Sequence, residues 1–142
     1  MRVHELMTPK PITVDFQTPV GEVRSTMEEN GIRHLPVVED GEVVGLLSNR
    51  DMRFVEGVLD LYADIDEIFA QPIMDLPVQD LWSMDILPAR EVITAEPEMM
   101  IPDAIDLLIG HQISALPVVD ASSGELLGIL SYVDILRWAR DL

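Results

Sequence analysis

The pentamer His34-Leu35-Pro36-Val37-Val38 returns 81 residues later as Ala115-Leu116-Pro117-Val118-Val119, and no other feature limits the fold so tightly. The similarity runs well beyond the pentamer. At the same offset Ile12-Thr13 meets Ile93-Thr94, and Val20, Val23 and Met27 meet Ile101, Ala104 and Leu108. After a two-residue difference in turn length, Glu42-Val43-Val44-Gly45-Leu46-Leu47-Ser48 corresponds to Glu125-Leu126-Leu127-Gly128-Ile129-Leu130-Ser131, followed by Asp51 and Asp134. One supersecondary unit has therefore been used twice. A unit of about fifty residues buries too little surface to be stable alone, so the two copies are expected to pack into one body. At 142 residues and 48% apolar, the chain can fill one ordinary core or two very small ones and has no room for a multidomain enzyme.

Each copy reads as β-α-β-β-α, which makes the fold class mixed α/β (α+β). Pro19 and Pro102 suit the first turn of a helix, Ile101, Ala104, Ile105 and Leu108 recur at helical spacing, and Gly31 and Gly110 suit a C-terminal stop. A short apolar Pro-Val-Val strand follows. Turn signals, Glu39-Asp40-Gly41-Glu42 in copy one and Asp120 to Gly124 in copy two, connect it to the next strand. That strand runs into a helix starting near Ser48 or Ser131. Residues 54–89 carry eight acidic residues and no Lys or Arg, and Met52, Val55, Leu59 and Tyr62 fall on one helical stripe, which prolongs the copy-one helix. Val78-Gln79-Asp80-Leu81-Trp82-Ser83 then echoes Val3-His4-Glu5-Leu6-Met7-Thr8 and reads as the lead-in of copy two. The resulting division is 1–54 for repeat one, 55–77 for an acidic helical connector with a solvated surface, and 78–142 for repeat two.

Charge and motif content narrow the function. Acidic residues number 26 against 9 basic ones, a net charge of -17, which repels a phosphate backbone and argues against nucleic-acid binding. The chain is nevertheless too apolar for a disordered acidic tail. It has no cysteine, so disulfides, thiolate metal sites and cysteine nucleophiles are excluded. The start lacks the apolar stretch of a signal peptide, and no apolar run approaches a membrane span, so a cytoplasmic protein without membrane contact is expected. No phosphate-binding Gly-Lys loop, nucleophile elbow or His-Glu-x-x-His motif is present, and His4, His34 and His111 lack metal-ligand spacing. The expectation is a protein with no catalytic residues, no metal and no cofactor.

Leu6-Met7-Thr8-Pro9, Ile12-Thr13-Val14, Gly31 to Val38, Gly45-Leu46-Leu47-Ser48 with Asp51, and the matching stretch Leu116 to Asp134 together resemble CBS domains. Over nearly its full length the chain resembles a stand-alone CBS pair, or Bateman module. That resemblance implies two pseudo-symmetric repeats and a regulatory module that binds an adenosine-containing ligand (AMP, ADP or ATP, with S-adenosylmethionine or NAD as further candidates) in clefts between the repeats. It also implies a homodimer built through helical faces, here the stripe Ile101, Ile105 and Leu108, and a regulated partner protein. The alternative is a ligand-free module that only dimerises or binds a partner.

The family's ribose motif, Ser or Thr followed three residues later by Asp, matches Ser48 with Asp51 and Ser131 with Asp134. An ionised carboxylate can accept hydrogen bonds from both vicinal ribose hydroxyls, and such charge-assisted bonds are the stronger kind. Ser-x-x-Asp at a helix start is also a capping box that needs no ligand. The resemblance places phosphate-contacting groups at Arg33, His34 and Arg50, where copy two has Ser114, Ala115 and Val133. Arg53 reads as a solvated charge, and His34 reads equally as a surface residue. Adenine is expected against Ile12 with Leu35-Pro36, or Ile93 with Leu116-Pro117, residues that serve equally as ordinary core. Met27, Met99 and Met100 read as core fill.

Overall fold

The computed structural model describes residues 1–63, 73–89 and 91–142. Its elements are α1 (Val3–Leu6), β1 (Thr8–Pro9), α2 (Val20–Asn30), β2 (His34–Glu39), β3 (Glu42–Ser48), α3 (Asn49–Ala63), α4 (Gln79–Ser83), α5 (Ile101–His111), β4 (Ala115–Val119), β5 (Leu126–Ser131) and α6 (Tyr132–Arg140). They fall into two compact units: Met1–Ile12, Asp40–Val44 and Val92–Leu142 form one, and Thr13–Glu39 with Gly45–Glu91 form the other.

The unit holding copy two has a three-stranded antiparallel sheet in the order β1-β5-β4. Its register sets Thr8 opposite Ile129, Leu116 opposite Leu130 and Ala115 opposite Ser131. Leu116 and Val118, two residues apart on one face of β4, meet Ile101, Ala104 and Leu108 of α5 in a core completed by Val3, Ala95 and Leu130. In copy one β2 pairs with β3. Leu35 and Val37 there pack on Val20, Val23 and Met27 of α2, with Leu47, Met52, Val55 and Leu81. Met52 and Val55 confirm the stripe that extends α3 to Ala63; the side chains of Leu59 and Tyr62 lie outside the described residues.

The two lead-ins are exchanged. The sequence division follows chain order, but contacts group Met1–Ile12 with copy two, and α4 with copy one. Val3 N donates to Met99 O at 2.9 Å and Ile101 N donates to Met1 O at 3.0 Å, while Val20 N donates to Leu76 O at 3.0 Å and Val78 N to Thr18 O at 2.9 Å. Each small residue of the Gly-apolar-apolar strand makes room for the incoming lead-in. A Cβ at Gly128 would sit 2.6 Å from Met7 Sδ and 2.8 Å from Thr8 O, and one at Gly45 would sit 3.2 Å from the Trp82 ring. Trp82 in turn meets Phe16 edge to face.

The first strand expected in each copy shrinks to a single parallel bridge, Val14 to Val37 and Ala95 to Val118. Asp15 explains the break in copy one: its carboxylate accepts from Gln17 N at 2.8 Å and its carbonyl from Thr18 N at 3.2 Å, turning the chain away. Gly31 ends α2 in the left-handed region, as expected. Gly110 does not end α5; the stop falls on Gln112 at φ 54°, which the repeat offset places opposite Gly31. Asp40 and Gly41, at φ 51° and 81°, form the tight turn between β2 and β3. In the longer turn of copy two, the Asp120 carboxylate accepts from the Ser122 hydroxyl at 2.7 Å and from the Ser122 and Ser123 amides at 2.9 Å, which holds its pKa down at about 2. Among the described residues, no helix is long and apolar enough to cross a membrane.

Candidate functional site

Both Ser-x-x-Asp motifs sit where a strand passes directly into a helix. Ser48 closes β3 and Ser131 closes β5. In copy one, Ser48 N donates to Asp51 Oδ2 at 2.8 Å and Asp51 N donates to Ser48 Oγ at 3.1 Å. In copy two, Ser131 N and Ser131 Oγ donate to Asp134 Oδ2 at 2.9 and 3.1 Å, and Asp134 N donates to Ser131 Oγ at 3.3 Å. Each motif therefore forms a capping box. The cap does not exhaust the carboxylate, which has about four acceptor positions and commits one in copy one and two in copy two. Both aspartates are half-buried.

The helix start is tied to the segment before the Leu-Pro-Val strand. Asn49 N donates to Arg33 O at 2.8 Å, and Tyr132 N donates to Ser114 O at 3.0 Å. These bonds bring Arg33, His34, Ser48, Arg50 and Asp51 together in copy one, and Ser114, Ser131 and Asp134 together in copy two. Arg33 and Arg50 are exposed and His34 is half-buried. Among the described residues neither Arg33 nor Arg50 forms an ion pair, whereas Arg2, Arg24 and Arg140 pair with Glu98, Glu56 and Asp141. The backbone thus sets Arg33 and Arg50, neither with an ion-pair partner among the described residues, at the start of α3 on a chain of net charge -17. Copy two has no Arg or Lys at the matching positions.

The proposed adenine slot divides. Leu35 and Leu116 are fully buried in the two cores, so their side chains are committed to packing. Pro36 and Pro117 are buried beside them, and their carbonyls accept from Val14 N and Ala95 N at 3.0 and 2.9 Å. Ile93 is half-buried against the copy-two core, and Ile12 is exposed at the end of the Met1–Ile12 segment. The helical stripe named for dimerisation is also core in part: Ile101 and Leu108 are buried and Ile105 is half-buried. The exposed apolar groups on these helices are instead Ile109, Tyr132 and Leu136, which a stripe drawn at core spacing passes over. Among the described residues no three His, Asp or Glu side chains could hold a metal ion.

The family model described as CBS domain matches residues 3–56 and 82–141. The chain belongs to the CBS domain family. Protein MJ1426 of Methanocaldococcus jannaschii is 30% identical over 96% of this chain and 90% of its own length. The inosine-5'-monophosphate dehydrogenase of Thermoplasma acidophilum is 32% identical over 87% of this chain, but this CBS pair spans only 21% of that enzyme. Among solved structures, CBSX2 in complex with AMP is 26% identical with a TM-score of 0.74, covering 99% of this chain and 96% of that one. The CBS domain pair of MJ0100, in complex with 5-methylthioadenosine and S-adenosyl-L-methionine, shares the fold at 22% identity and a TM-score of 0.74, over 99% of this chain and 97% of that one.

Proposed function

We propose that this CBS pair is a regulatory module that binds an adenosine-containing ligand. Asp51 and Asp134 accept from the ribose hydroxyls, and Arg33, His34 and Arg50 hold phosphate at copy one. The observation that carries the reading is the pairing of a half-buried Ser-x-x-Asp carboxylate with two guanidinium groups that have no ion-pair partner among the described residues, at one strand-to-helix junction. Binding of AMP by CBSX2, which matches this chain over nearly all of both lengths, supports it. AMP, ADP and ATP are the ligands whose charge suits copy one. No chemical step is assigned to the site.

The test is a thermal-shift panel with AMP, ADP, ATP, NAD and S-adenosylmethionine. A ligand at 100 times its dissociation constant adds about 2.7 kcal/mol of stability. At roughly 2–4 °C per kcal/mol for a chain of this size, the melting temperature rises by several degrees. No shift with any of the five supports the ligand-free alternative instead.

A further inference from the structure

Four of the chain's eight methionines meet at one joint, where the lead-in segment Met1–Ile12 docks on copy two. Met1 O accepts from Ile101 N, Arg2 forms an antiparallel bridge with Met100, and Met99 O accepts from Val3 N. Met7 Sδ rests on the backbone of Gly128, 2.6 Å from where a Cβ would stand. Met7 and Met99 are half-buried against the copy-two core, while Met1 and Met100 are 46% and 40% exposed, so solvent reaches all four.

Copy one builds the same joint without methionine. The bonds from Val20 N to Leu76 O and from Val78 N to Thr18 O, with the bridge between Pro19 and Pro77, repeat those of copy two position by position. Trp82 takes the place of Met7, over Gly45. Met1, Met7, Met99 and Met100 are thus matched by Leu76, Trp82, Thr18 and Pro19. Closing the joint needs no thioether, so four methionines at this one place point to the chemistry of sulfur. That chemistry is oxidation, and the chain has no cysteine to compete for an oxidant. The thioether sulfur attacks an oxygen of a hydroperoxide: the S–O bond forms, the O–O bond breaks and the sulfur gives up two electrons. With hydrogen peroxide, the departing hydroxide takes the remaining proton and leaves as water. The sulfoxide is polar where the thioether was apolar. At Met99 it sets an oxygen against the apolar core, and at Met7 the Gly128 backbone leaves an added oxygen no room on that side. We propose that Met7 and Met99 form an oxidant-responsive modification site, at which a hydroperoxide releases the lead-in from copy two while the copy-one joint stays closed. α1 packs on β5 and α6, whose junction holds Ser131 and Asp134, so the released segment uncovers both elements. The inference is independent of the ligand reading.

The test adds hydrogen peroxide to the full chain, maps oxidation by peptide mass spectrometry and follows amide exchange by NMR. Met7 and Met99 should each gain one oxygen. The amides of Val3, Lys10 and Ile101, which donate to Met99 O, Leu127 O and Met1 O, should then exchange roughly tenfold faster or more. Those of Val20 and Val78, at the copy-one joint, should keep their rates. Met7→Leu/Met99→Leu keeps the apolar packing and should exchange as the native chain does, then show no response to peroxide even as Met1, Met84 and Met100 oxidise. The inference is overturned if either Met7 or Met99 stays reduced in the folded chain, or if Val3 and Ile101 keep their rates once both are oxidised. An equal rise at Val20 and Val78, or a leucine variant that responds as the native chain does, overturns it as well.

Discussion

Calorimetric titration with AMP or ATP should show binding lost in Asp51→Ala and retained in Asp134→Ala. Each variant loses the carboxylate half of its capping box, one hydrogen bond in copy one and two in copy two, while the serine Oγ still accepts from the backbone N at position 51 or 134, so both proteins should stay folded at a cost of about 0.5–1.5 kcal/mol per bond. They differ in the charge around the motif. Arg33 and Arg50 stand beside Asp51, while Ser114 and Val133 stand at the corresponding places beside Asp134. A charge-assisted hydrogen bond contributes roughly 1.5–3 kcal/mol. A carboxylate holding both ribose hydroxyls through two such bonds therefore accounts for roughly a hundredfold to ten-thousandfold in affinity. On a strongly acidic chain, phosphate attraction must come from the local cations, which assigns the phosphorylated ligand to Asp51. The reverse pattern, binding lost with Asp134→Ala and intact with Asp51→Ala, would show the assignment to be wrong.

The second large effect is on stability. Leu35→Ala and Leu116→Ala should each cost about 2–5 kcal/mol, because both side chains are fully buried and the cavity left behind cannot fully collapse. That is a large share of the roughly 5–15 kcal/mol that holds a domain together. Chemical denaturation measures it directly. At temperatures where the variants remain folded, ligand affinity should stay close to native, since neither side chain is available to adenine. A loss under about 1 kcal/mol would contradict their placement in the core.

Much of the architecture was legible because the chain carries its own comparison. Two copies of Leu-Pro-Val-Val and Gly-apolar-apolar-Ser-x-x-Asp locate the helix pairs and hairpins without any outside reference. The exchange of lead-ins was not legible. Nothing local in Val3–Thr8 or Val78–Ser83 says which copy receives it; the answer lies in the space above Gly128 and Gly45, a tertiary property. The stop of α5 falls on Gln112 rather than on Gly110: glycine is the usual left-handed residue, and only the repeat offset from Gly31 marks Gln112 for that role. Leu35 and Leu116 fit core and ligand slot together by composition, and their full burial shows the core part of that reading. Ser-x-x-Asp was ambiguous for a different reason. Cap and ribose acceptor use the same atoms, and in this protein the cap is formed while acceptor positions remain for a ligand.

The most direct test follows the backbone amides of Ser48, Asn49 and Asp51 by heteronuclear NMR as AMP is added to the unmodified protein. These amides donate to Asp51 Oδ2, to Arg33 O and to Ser48 Oγ, so they report on the carboxylate, the cationic segment and the helix cap together. The account predicts saturable shifts centred on these three signals and on Arg33 and His34. Shifts confined to other parts of the chain, or none up to millimolar AMP, would contradict it.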